Sequence, residues 1–118
     1  ELDDELAIEG FAAELIDRFG PLPDEARALL KIMAIKIHCR LAGIEKLETG
    51  PKGVVITFRD NHFANPAGLV AQISEWGKWA RLRPDHKLVI QRNWPGADDR
   101  LKGSLSLARQ LRRIAESA

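Results

Sequence analysis

The stretch Ile44-Glu45-Lys46-Leu47-Glu48-Thr49-Gly50-Pro51-Lys52-Gly53-Val54-Val55-Ile56-Thr57-Phe58-Arg59 decides the fold class. Residues 44–49 and 54–59 are short segments rich in β-branched side chains, and Gly50-Pro51-Lys52-Gly53 between them has turn chemistry, so the natural reading is a β-hairpin. Val54, Ile56 and Phe58 alternate with Val55, Thr57 and Arg59. Successive side chains of a strand point to opposite faces, so one face is expected to pack on helices while the other stays wetter.

Upstream, the spacing is helical. Ile8, Phe11, Ala12, Leu15 and Phe19 recur at three- and four-residue steps, which predicts an amphipathic helix over residues 5–19. Gly20-Pro21-Leu22-Pro23 should end it, because glycine accepts the helix-ending conformation and two prolines prevent continued hydrogen bonding. Phe19, Leu22 and the prolines are expected to fix the corner between two helices. Pro23 opens the second, with Asp24 and Glu25 where the helix dipole favours negative charge, and Gly43 closes it. Its apolar residues are broad, with Ala26, Leu29, Leu30, Met33, Ile37 and Leu41 on one side and Ile32, Ile35 and Cys39 toward the other. It reads as the central, most buried helix.

Downstream, Asn65-Pro66 caps and opens a third helix whose apolar face is Leu69, Val70, Ile73 and Trp76, ending at Gly77. Residues 79–83 and 87–91 flank Pro84-Asp85-His86 as a second strand pair. Residues 93–97 read as a linker. From Asp98 or Asp99 onward Leu101, Leu105, Ala108, Leu111 and Ala115 mark a final helix with Arg109, Arg112 and Arg113 near its end. The expected fold is α+β, one domain over residues 1–118, with a small, mainly antiparallel sheet of about four strands packed with about four helices.

Composition narrows the function classes. A chain of 118 residues with 45% apolar and 30% charged residues is a globular composition, and a single cysteine, Cys39, allows no internal disulfide. No apolar run approaches the roughly 20 residues that span a bilayer, and the acidic start at residues 1–5 is unlike a signal peptide, so a cytoplasmic setting without membrane contact is expected. Eighteen basic and 17 acidic residues nearly cancel, so attraction to nucleic acid would need local clustering.

Catalytic motifs do not emerge. Gly50-Pro51-Lys52-Gly53 lacks the spacing and the following Ser or Thr of a phosphate-binding loop. His38, His62, His86 and Cys39 are scattered, so neither a metal nor a cofactor is expected. Ser74, Ser104, Ser106 and Cys39 stand beside no activating base motif, and the chain reads as a non-enzyme.

Two surface constellations remain. Glu14, Asp17 and Arg18 occupy adjoining positions of the first helix beside its apolar stripe. Spacing alone allows a solvated face with a Glu14–Arg18 pair worth only about 0.3–0.5 kcal/mol, or a charged face that grips another domain. The second is basic: Arg81, Arg83, Lys87 and Arg92, with Lys78, lie near Trp79 and Trp94 in sequence, a combination that binds single-stranded nucleic acid when phosphates meet the cations and bases stack on the rings.

The stretch Glu14-Leu15-Ile16-Asp17-Arg18-Phe19-Gly20-Pro21-Leu22-Pro23 resembles the E-L-x-D-R-F-G-x-L-P signature of the C-terminal domain of bacterial transcription-repair coupling factors. The resemblance continues through Leu29-Leu30, residues 41–46, Gly50-Pro51-Lys52-Gly53, Phe58, Asn65-Pro66 and Lys87-Leu88, and is loose over the last helix. It implies a fragment of a multidomain ATP-driven DNA translocase that displaces stalled RNA polymerase and recruits UvrA. In that family the C-terminal domain is a regulatory latch on the N-terminal UvrA-binding domain of the same polypeptide. The resemblance places the docking contacts on Glu14, Asp17 and Arg18. An accessory nucleic-acid-binding role for Arg81, Arg83, Lys87 and Arg92 is the alternative.

Overall fold

The computed structural model describes residues 4–117; the acidic start at residues 1–3 lies outside them. Two helices come first, α1 (Glu5–Phe19) and α2 (Asp24–Ala42), then a hairpin of β1 (Ile44–Gly50) and β2 (Gly53–Phe58). Helix α3 (Pro66–Trp76), strands β3 (Ala80–Leu82) and β4 (Leu88–Gln91), and helix α4 (Ala97–Glu116) complete the chain. The four strands are antiparallel in the order β1-β2-β4-β3.

Local chemistry explains these elements. Asp4 caps α1 by accepting the Ala7 N–H at 2.7 Å, and Asn65 caps α3 by accepting the Gly68 N–H at 3.1 Å. Gly43 ends α2 in the left-handed conformation, with its N–H bonded back to the Arg40 carbonyl, and turns the chain straight into β1. Along β2 the buried residues are Val54, Ile56 and Phe58, while Val55 and Thr57 are only half-buried, which is the expected alternation. Arg59 has left the strand and begins a short 3₁₀ turn.

The inward face of the sheet joins Ile44, Val54, Ile56, Leu88 and Ile90 to Leu107 and Leu111 of α4, with Leu69 of α3 in the same cluster. Removing a leucine or isoleucine side chain fully from water stabilises by about 1.5–3 kcal/mol, and Ile56, Leu88, Ile90 and Leu111 are all nearly inaccessible.

Helix α2 is not the most buried helix. Its buried residues are Ala34, Ile37, His38 and Ala42, whereas Leu29 is 59% exposed and Leu41 is exposed. Helix α4 buries Ser104, Leu105, Leu107, Ala108, Leu111 and Ala115, because it lies between α2 and the sheet and presents a strong apolar stripe. Residues 93–97 are not a free linker either. Trp94 is 8% exposed, its N–H donates to the Pro51 carbonyl at 2.8 Å, and its ring lies where a side chain at Gly103 would stand. Arg100 Nε donates back to the Trp94 carbonyl at 3.1 Å. Trp79 belongs to a 3₁₀ turn rather than to β3, and it is 52% exposed.

Candidate docking site

Helix α1 is held at one end. Ile8 is its single buried residue and packs in a small cluster with Ala34 and Ile37 of α2 and Leu105 of α4. Beside it Glu5 makes a charged staple: its Oε1 accepts from His38 Nε2 at 2.8 Å and from Arg109 Nε at 2.9 Å, and its Oε2 pairs with Arg109 Nη2. His38 Nδ1 lies 3.3 Å from Arg112 Nη1. A neutral imidazole protonated on Nε2 satisfies both contacts, donating to Glu5 and accepting from Arg112. Sequence reasoning missed Glu5, since its partners stand 33 and 104 residues away.

Burial pushes the His38 imidazole below its ordinary value, the charges of Arg112 and Arg113 add to that, and Glu116 pulls the other way. A folded-state value below the unfolded one means that the native chain binds fewer protons between the two, so stability is complete above about pH 6.5 and is lost as pH falls through the lowered value. Thermal melts between pH 7.5 and 5 should therefore show a falling midpoint. In His38→Gln, whose amide can donate to Glu5 and accept from Arg112, that fall should be shallower. An unchanged pH slope in the variant would remove His38 as its source.

Beyond Ile8 the helix runs out of partners. Ala12 and Leu15 are half-buried, but Phe11, Ile16 and Phe19 are exposed, Phe19 to 77%. The expectation that Phe19 fixes the corner is corrected here. The corner is held instead by Arg27, which donates to the Leu22 carbonyl at 3.1 Å and pairs with Asp24, and by the Gly20 N–H on the Ile16 carbonyl at 2.8 Å. This overhang helps explain a radius of gyration of 15.3 Å and extents of 49 × 31 × 22 Å, against a radius of about 13.5 Å for a compact chain of this length.

Glu14, Asp17 and Arg18 lie on the overhanging half, and all three are exposed. Arg18 Nη2 stands 3.2 Å from Glu14 Oε1, an open i, i+4 pair. Among the described residues Asp17 has no cationic partner. The result is a mixed-charge ridge adjoined by Phe11, with Ile16 and Phe19 exposed elsewhere on the same half of the helix. Such a surface offers charged hydrogen bonds for register and apolar side chains to bury.

The basic constellation is divided. Arg83 pairs with Asp85 at 2.7 Å and its N–H bonds the Lys87 carbonyl at 2.9 Å, so both sit at the β3–β4 turn. Arg81 is in β3 opposite Val89. Arg92 lies past the other end of β4, about 17 Å along the strand from Lys87, with its guanidinium over the Trp76 ring at 5.8 Å. It shares a shallow surface with Lys52 and Trp79, while Trp94 is buried and cannot stack on a base. Burial also pushes the Cys39 thiol up to about 11, which leaves it a neutral packing group. Among the described residues no helix is long and apolar enough to cross a membrane.

The family model described as the TRCF domain matches residues 1–69. A transcription-repair-coupling factor of Rickettsia bellii is 42% identical over 90 residues, covering 75% of this chain and 8% of that protein. That of Escherichia coli is 43% identical over 75 residues, covering 64% of this chain and 6% of that protein. The chain thus spans under a tenth of the length of these relatives. A crystal structure of the C-terminal domain of transcription-repair coupling factor superposes with a TM-score of 0.75 at 24% identity, covering 99% of this chain and 76% of that one, a likeness of fold.

Proposed function

The chain belongs to the TRCF domain family, and from that premise we propose that it is the non-catalytic regulatory domain of a transcription-repair coupling factor, a latch that docks reversibly on the N-terminal UvrA-binding domain of the same polypeptide. The whole chain acts as one domain at the C-terminal end of an ATP-driven DNA translocase that works with RNA polymerase, UvrA and DNA in the cytoplasm. Docking covers the UvrA-binding surface and restrains the motor, and release exposes it.

One observation carries this reading: the half of α1 that bears the signature residues projects beyond the helix packing, with Glu14, Asp17 and Arg18 open to a partner. A latch must release. Exposed charges give register and selectivity, while desolvation on docking cancels much of their attraction, so the closed state need not be tight.

Mixing the chain with the separately expressed N-terminal domain should give saturable binding by calorimetry or pull-down. Asp17→Arg should weaken it by about tenfold, or about 1.4 kcal/mol, without changing the melting of the chain. In the intact parent the same reversal should raise UvrA binding and ATP turnover. Equal binding by the reversed variant would sink the ridge assignment.

The second reading, an accessory nucleic-acid surface, is favoured only by Trp79 exposed beside Lys52 and Arg92. Phosphate binding there would weaken steeply with salt. Arg83 and Lys87 sit at one end of β4, Arg92 lies past the other and Arg81 stands on β3 between them, so the four cations do not converge and this reading is the second.

A further inference from the structure

On the side of α2 opposite α1 lies an open groove of about 820 Å³. Ile32, Ile35 and Cys39 of α2 form its apolar floor with Leu47 of β1. Ile35, Cys39 and Leu47 touch the core with one side and are only partly covered on the other, and Ile32 is exposed, so the floor keeps apolar surface open to a partner. Around the floor stand Lys36, Arg40, Lys46, Arg59 and Arg100, against one carboxylate, Glu45. Among the described residues Lys36, Arg40, Lys46 and Arg59 are in no ion pair.

Ala97, Leu101 and Ser104 of α4 form one wall, and the outer edge of the sheet forms the other. Strand β1 is terminal in the order β1-β2-β4-β3, and its hydrogen-bonding phase follows from the neighbouring ladder. Arg92 N–H donates to the Lys52 carbonyl at 2.9 Å, and Val54 and Ile56 stand opposite Ile90 and Leu88 in the same register. Bonded positions alternate along an antiparallel strand, so Val54 and Ile56 turn their main-chain groups toward β4, and Val55 and Thr57 turn theirs toward β1. Their partners are Glu48 and Lys46. The main-chain N–H and C=O of Leu47 and Thr49 therefore point away from the sheet, and both residues line the groove.

We propose that this edge receives an extended, acidic peptide segment of a partner protein, which adds a fifth strand beside β1 and under α2. Main-chain bonds to Leu47 and Thr49 supply affinity, and alternate side chains of the peptide enter the apolar floor. The surrounding cations favour a peptide of net negative charge. A second copy of the chain would bring the same cations to the same groove, and among its lining residues there is no aromatic ring on which a base stacks, so neither self-pairing nor nucleic acid fits as well. The surface is separate from the ridge on α1 and does not depend on the latch.

Fluorescence anisotropy with a labelled peptide of about ten residues, alternating Glu and Val so as to span an average strand, tests this on the 118-residue chain. Saturable binding is expected, with slowed amide exchange at Leu47 and Thr49. Thr49→Pro removes an outward N–H that an edge strand does not need, so melting should hold while affinity falls by about tenfold or more. The paired reversal Lys36→Glu with Arg40→Glu, on an exposed helix face, should weaken binding as strongly and leaves the strand intact. No saturable binding of the Glu-Val peptide would overturn the proposal. So would equal binding of a Lys-Val peptide, undiminished binding by Thr49→Pro in a folded chain, or displacement of the peptide by single-stranded DNA.

Discussion

Gly53→Ala is expected to lower the unfolding free energy by about 4 kcal/mol, the sum of backbone strain and a forced displacement of packed atoms that each cost roughly 1–3 kcal/mol. Gly53 has a φ of +136°, a region that residues with a Cβ rarely adopt. A methyl group there would run into the Ile90 carbonyl oxygen and would stand 2.9 Å from Arg92 N and 3.0 Å from Gln91 Cα. All three are backbone atoms of β4 and its extension, so no side chain can swing aside. A loss of that size moves the thermal midpoint of a domain this long by roughly 15 °C. Gly10→Ala is the control, because nothing lies within 4 Å of its added Cβ in α1, and alanine inside a helix should stabilise by about 0.5–1 kcal/mol. Urea and thermal unfolding of both variants measure the difference. A Gly53→Ala midpoint equal to that of the parent would mean that β2 and β4 do not meet in this register. The outward phase of Leu47 and Thr49 would fall with it.

The hairpin was legible because its turn chemistry and its alternation agree. Gly50-Pro51-Lys52-Gly53 can hardly be anything but a turn, and β2 buries the alternate residues that its pattern marks. The caps at Asn65-Pro66 and Gly43 were legible for the same reason, since each rests on backbone geometry that few residues satisfy. Burial was less legible. Helix α2 reads as central because apolar residues occur on two of its sides, yet Leu29 and Leu41 on the first are exposed, and Ile32, Ile35 and Cys39 on the second are at most partly covered and line an open groove. Hydrophobicity records what a face can bury and says nothing of whether a partner is present. Trp94 has the sequence context of a linker because proline and glycine follow it, and its place depends on Gly103 presenting a notch, a match visible only when strand and helix are brought together. On the candidate site, helical spacing alone put Glu14, Asp17 and Arg18 on one exposed ridge. Their suggested role came from the signature around them, because exposed charges at that spacing are common on helices with no partner.

Glu5→Lys should release α1 from the rest of the molecule. The Glu5 side chain is 20% exposed and takes up the charge of Arg109 while holding His38 in one orientation. Breaking a buried pair costs about 3–5 kcal/mol. Arg109 is 41% exposed, so solvent screens part of the interaction, and about 2–3 kcal/mol is the expected loss here. A lysine at that position would also face Arg109 with like charge. Apart from Ile8 and the half-buried Ala12 and Leu15, little else holds this helix. A helix of 15 residues is marginal alone in water, so undocking should melt it. Amide protection along α1 should fall by roughly thirtyfold, equivalent to about 2 kcal/mol, and trypsin should cut at Arg18, while the sheet and α4 keep their protection. Affinity for the N-terminal domain of the parent should fall with it, since Glu14, Asp17 and Arg18 would no longer stand on a fixed surface. Asp17→Arg should weaken docking with the helix still folded, so amide exchange separates loss of the ridge from loss of its scaffold. Adding Arg109→Glu to Glu5→Lys restores opposite charges across the gap and should recover part of the protection. Protection of α1 that stays at the parent level in Glu5→Lys would show that the packing around Ile8 alone holds the helix in place.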